Sequence, residues 1–161
     1  MPLEPRDKEL VAIGASIGSN CEPCITHHLA AAREAGLSQA VLDAAVASAY
    51  AVRREAVELL AARIDELLGH GGGEAKPAAI ARSSKAHELV ALGVSVGANS
   101  HPLLHAHVGS AFDVGLDVHE VRSALKMAGY VQQHAAALTA EAVTRALAER
   151  VGASAGAVAA N

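Results

Sequence analysis

The chain has no tryptophan and only three other aromatic residues, Tyr50, Phe112 and Tyr130, among 161. A core built around large rings is therefore excluded. Only two cysteines are present, Cys21 and Cys24, too few for a disulfide-stapled scaffold. No dense Lys/Arg cluster occurs and the formal charge is −4, which argues against nucleic acid as a partner. No run of about twenty apolar residues is available for a membrane span. The polar start Met1-Pro-Leu-Glu-Pro-Arg-Asp-Lys8 predicts no secretory signal, so the cytoplasm is the expected compartment.

What is present is Ala, Val, Leu and Ile in long segments also rich in Glu and Arg. Hydrophobic residues make up 52% of the chain. These compositions predict an all-α protein. Small side chains bury little area each, so the helices must pack closely and copies of the chain are expected to share surface.

The sequence repeats at an offset of 79 positions. Glu9-Leu-Val-Ala-Ile-Gly-Ala-Ser-Ile-Gly-Ser-Asn20 lies over Glu88-Leu-Val-Ala-Leu-Gly-Val-Ser-Val-Gly-Ala-Asn99. Pro23, His28 and Gly36-Leu37 then meet Pro102, His107 and Gly115-Leu116. Residues 9–57 align without a gap and share 17 identities. The pattern reads as a tandem duplication: a first repeat over 1–69, a Gly-rich linker over 70–79, a second repeat over 80–150, and a low-complexity, frayed tail over 151–161.

Each repeat reads as three helices. The first spans about Arg6 to Gly18, or Lys85 to Gly97, and carries glycines four residues apart on one face. Each glycine costs a helix roughly 1 kcal/mol against alanine. The pairs Gly14/Gly18 and Gly93/Gly97 are sensible only where another backbone passes close by. The second helix begins at Cys21–Glu22, with Pro23 in its first turn, and ends at Gly36. Ser38 starts the third, which runs to about Leu68 with apolar positions Val41, Leu42, Ala45, Val46, Ala49, Val52, Val57 and Leu60. Asp117 with Glu120 forms the corresponding capping box in the second repeat.

The chemistry concentrates in the first repeat. Cys24 lies in a helix's first turn, where unsatisfied N–H groups and the macrodipole favour a thiolate. His28 follows four residues later on the same face, and Cys21 three residues earlier is placed to resolve an oxidised Cys24. In an antiparallel hairpin turning at residues 18–20, Glu9 stands ~15 Å and His28 ~12 Å from the turn. The carboxylate is therefore better placed for His28 than for Cys24. His27 points about 100° away around the helix. Cys21, Cys24 and His28 or His27 are also possible metal ligands, although structural zinc normally takes four and no fourth is near in sequence.

Glu9, Cys21, Cys24 and His28 at these spacings resemble the motif of the alkylhydroperoxidase D-like branch of the carboxymuconolactone decarboxylase superfamily. The similarity covers about 50 residues of the first repeat, and the second retains its framework. It implies an all-α homo-oligomer of three two-repeat chains or six single ones. It also implies reduction of a peroxide or disulfide at the expense of a thiol reductant, without a cofactor. By position, Cys24 would attack the peroxide, Cys21 would resolve, and His28 with Glu9 would relay protons. The match departs at Pro23, where the hydroperoxidase type carries histidine, and a weaker peroxidase is expected.

The second repeat has Ser100 and Leu103 in the cysteine places and cannot cycle a disulfide. It is expected to complete the core and the interface. His101 and His105 share a face, with His107 two residues on, but no carboxylate or thiol accompanies them in sequence, so no metal site is assigned. His87, His119 and His134 read as surface or interface residues. Two other functions remain at this point: a lactone decarboxylase, which would need no dithiol, and a non-catalytic metal-binding or redox-sensing module.

Overall fold

A computed structural model describes residues 3–71, 76–78 and 83–159, the side chains only as far as residue 150. The described residues form six helices and no strand: α1 (Pro5–Gly18), α2 (Glu22–Glu34), α3 (Gln39–Leu67), α4 (Lys85–Gly97), α5 (His101–Asp113) and α6 (Val118–Ala159). None of them is long and apolar enough to cross a membrane.

Helices α1 and α4 cross at the centre, and almost every side chain from Leu10 to Ile17 and from Glu88 to Val94 is buried. The glycines explain how two such uniformly apolar helices meet. A Cβ on Gly14 would run into the carbonyl oxygen of Val90, and one on Gly93 into that of Val11. Those partner residues are themselves 79 apart, so each helix presents its glycine to the same place on the other. The close backbone approach expected from the spacing is present. Ser16 and Ser95, buried in this crossing, return their hydroxyls to Ala12 and Ala91 carbonyls at 2.7 and 2.8 Å.

Each central helix turns back through an asparagine with φ of 54°, Asn20 or Asn99, a left-handed conformation that asparagine tolerates better than most residues. Arg53 donates to the Asn20 side chain at 3.1 Å, and Gln132 to that of Asn99 at 2.8 Å. The hairpins so formed set α2 against α1 and α5 against α4. The long helices behave differently. Both α3 and α6 pack on α1 and α4 together, while α3 barely touches α2 and α6 barely touches α5. Each half therefore covers part of the other.

Ser38 Oγ accepts from Val41 N–H at the start of α3. Asp117 and Glu120 exchange the two expected capping-box bonds, at 2.8 and 2.9 Å. Two expectations need correction. Val57 and Leu60, assigned to the apolar face of α3, are 61% and 62% exposed, because that helix overshoots the crossing after Ala56. The tail is not frayed as far as Ala159: α6 continues through it, since alanine-rich sequence sustains a helix despite isolated glycines. The linker falls partly outside the described residues, but Ala78 N–H donates to Glu55 on α3 at 2.7 Å, which ties that end down.

Candidate active site

The four residues singled out in the first half come together. Cys21 occupies the N-cap of α2 and Cys24 its first turn, and their sulfurs are joined in a disulfide with Cα atoms 5.3 Å apart. Cys21 Sγ also accepts the Cys24 backbone N–H at 3.3 Å, taking the role a serine oxygen plays at other caps. Both residues are nearly buried.

One turn beyond Cys24, His28 Nδ1 lies 2.9 Å from Glu9 Oε2 on α1. An ionised carboxylate only accepts, so Nδ1 carries the hydrogen and Nε2 is left for acid–base work. The hairpin places the two at one level because Gly18–Asn20 is short and each side chain is the right number of turns from it. The Glu9 and His28 side chains keep 17% and 11% of their surface, enough for proton exchange with solvent.

A cavity of about 150 Å³ adjoins this group, lined by Pro23, Cys24, His27, His28, Tyr130, Val131, His134 and Leu138. Half of its wall comes from α6. Tyr130 and His134, with rings stacked 6.4 Å apart, face the dithiol across it. His134 was expected at an unassigned surface, and the sequence held no sign of this role: 79 positions earlier stand Ala51 and Glu55. His27 is nearer the chemistry than its helical angle suggested, since its ring meets His28 edge-on at 5.0 Å and lines the same cavity.

The second half repeats the pair without the thiols. His107 Nδ1 lies 2.9 Å from Glu88 Oε2, and Ser110 Oγ donates to Oε1 at 2.8 Å. Here the carboxylate is fully buried and the histidine side chain keeps 4% of its surface. Burial alone would push the Glu88 carboxyl up, but hydrogen bonds with His107, Ser83 and Ser110 outweigh it and hold the group below the usual carboxylate range. Leu103, fully buried, fills the place of Cys24. His101 and His105 do not join His107. Both are exposed and line two other cavities. His119 lies at the surface as expected, but His87 does not: it is half-buried beside Glu88 and His107.

Searches of the curated proteins and of the solved structures return no match to this chain. A family comparison does. The model of the carboxymuconolactone decarboxylase family matches residues 2–67, the segment that holds the disulfide and the Glu9–His28 pair.

Proposed function

We propose that the protein is a thiol-dependent oxidoreductase that reduces a peroxide or a small disulfide by cycling Cys21 and Cys24 between dithiol and disulfide. The observation that carries this reading is the disulfide itself, set at a cavity whose wall includes Cys24 and a histidine held by Glu9. A metal clamp on the same residues is disfavoured by that bond, because its sulfurs are joined to each other.

The chemistry follows from position. In the reduced protein Cys24 is the attacking thiol, since it lines the cavity together with His28, one turn further along α2. The Cys24 thiol gives its proton to His28 Nε2, its sulfur attacks one peroxide oxygen, the O–O bond breaks, and the alcohol leaves with that proton. Cys24 is then a sulfenic acid. Cys21 attacks that sulfur, the S–S bond forms, and water leaves with the Cys21 proton. Two equivalents of an external thiol restore the dithiol and are themselves oxidised to a disulfide. Glu9 positions His28 by accepting its Nδ1 hydrogen, which leaves Nε2 facing the chemistry. Pro23 offers no donor between the cysteines. Polar groups for the leaving oxygen come instead from His27, Tyr130 and His134 around the cavity.

The test is peroxide consumption with several small thiols. Cys24→Ser is expected to fall to background, whereas Cys21→Ser should stop after one turnover with a sulfenic acid detectable by mass spectrometry. Undiminished turnover in Cys24→Ser, or lactone turnover surviving loss of both cysteines, would overturn the reading. The same reading takes the chain as a homo-oligomer. Val57, Leu60, Ile64 and Leu67 form an exposed apolar stripe along the end of α3, which suits a surface shared between copies. Light scattering should give a mass of several chains, and a monomer at micromolar concentration would refute that part.

A further inference from the structure

The cysteine-free half carries a cluster that the dithiol chemistry does not use. His87 and Glu88 on α4 and His107 on α5 each present a ligand atom, and the three atoms lie within 4.8 Å of one another. We propose that His87, Glu88 and His107 form a second site, one that binds a divalent transition-metal ion of the zinc class.

The donor set is right for such an ion. Two imidazoles and one carboxylate make a three-ligand set that leaves a position open. Metal bonds of ~2.1 Å allow donors up to about 4.2 Å apart, so a separation of 4.8 Å at most needs to shorten only slightly. The Glu88–His107 separation of 2.9 Å suits two ligands on one ion, which would replace the proton now shared between them.

The surroundings fit as well. Glu88 is a fully buried carboxylate, and buried charges are ordinarily paired or coordinate a metal. Ser110 Oγ steadies Glu88, and Ser48 Oγ, 2.8 Å from His87 Nδ1, fixes the orientation of that ring, as outer partners do around ligating groups. His87 also lines a cavity of about 400 Å³ with Leu10, Val41, Ser48 and Ser84, which gives an ion a way in and room for a bound water.

Comparison with the first half identifies the deciding residue. The Glu9–His28 pair has Lys8 where this one has His87, and Ala31 where this one has Ser110. A lysine there repels a cation, whereas a histidine offers it a lone pair. The second half has exchanged a positive charge for a ligand.

The site is separate from the dithiol, so the test keeps the disulfide oxidised and the thiols out of reach. The full-length chain is titrated with Co²⁺, followed by its visible absorption, and with Zn²⁺ by calorimetry. One ion per chain is expected, with cobalt bands of a four- or five-coordinate site. His87→Lys, which restores the first half's residue, should weaken binding by at least about tenfold. His87→Gln serves the same purpose if the lysine variant does not fold. His101→Ala with His105→Ala should leave affinity unchanged. Absence of uptake by the wild type, or equal affinity and stoichiometry in the His87 variant that folds, would overturn the proposal.

Discussion

The two halves hold the same carboxylate–histidine pair at the same 2.9 Å, yet they use it under opposite conditions. Glu9 and His28 keep 17% and 11% of their side-chain surface and stand next to a disulfide, whereas Glu88 keeps none and His107 4%, with no thiol beside them. A histidine polarised by a carboxylate can move protons only where protons can arrive. The frame thus supplies the pair, and exposure together with the neighbour decides what it does. In the proposed function one copy serves redox proton transfer, while the other holds a charge in the core.

The frame should be equally intolerant on both sides, and this is the largest effect expected. Gly14→Ala and Gly93→Ala each place a methyl group against a carbonyl of the opposite central helix. Neither backbone can withdraw without separating α1 from α4, so each should lose about 4 kcal/mol or more. That is a large share of an ordinary domain's stability. Gly129→Ala, with no atom within 4 Å of its new Cβ, should instead gain up to ~1 kcal/mol. Urea denaturation of the three variants checks this. A mild Gly14→Ala beside a severe Gly93→Ala would break the symmetry between the halves.

The carboxylates should separate the halves. Glu88→Gln strips charge from a fully buried, triply bonded group and should cost about 3 kcal/mol with little effect on turnover. Glu9→Gln alters a group that solvent still reaches and should cost about 1 kcal/mol. Its main effect should be on peroxide turnover, reduced roughly tenfold to a hundredfold. Measuring stability and rate on both variants gives four numbers. If the two substitutions prove interchangeable, the division of labour between the halves is wrong.

The sequence made some of this legible because it rests on local rules. Glycines four apart must face a backbone, and a Cys-Glu-Pro-Cys helix start leads to His28 one turn on. Equal lengths from a short turn bring Glu9 to that histidine. Tyr130 and His134 were not legible, since they reach Cys24 through the crossing of α6 over the other half, and no periodicity encodes which helix lies over which. For the same reason Val57 and Leu60 continue an apolar pattern past the point where the described residues cover them. His87 looked unremarkable because its partners, Ser48 and His107, are brought near it only by the packing of α3 and α5 on α4.

The smallest effect concerns a contact that only the second half has. Lys85, ahead of α4's buried run, reaches Asp7 on α1 and Glu120 on α6, both at 2.9 Å. In the first half Arg6 takes its place, and the partner positions are Ala86 and Val41, so no such bridge can form. Hydrogen bonds with Glu120 and then Asp7 raise the lysine above its usual 10.5, while the Asp117 backbone N–H and then Lys85 lower Glu120 below 4.5. A raised lysine contributes stability that is complete below 10.5 and lost as pH climbs through its folded value. A lowered carboxylate contributes above 4.5 and loses that as pH falls through its own. The bridge is thus constant across neutral pH and fades at both ends. Lys85 keeps 43% of its side-chain surface and water still reaches the bridge, so Lys85→Met should cost only about 0.5 kcal/mol near pH 7. Comparing urea midpoints of the wild type and variant from pH 3 to pH 11 should show the gap closing at either extreme. A gap that persists unchanged at pH 3 would mean that Lys85 contributes through its methylene packing on α1 and α6 and not through its charge.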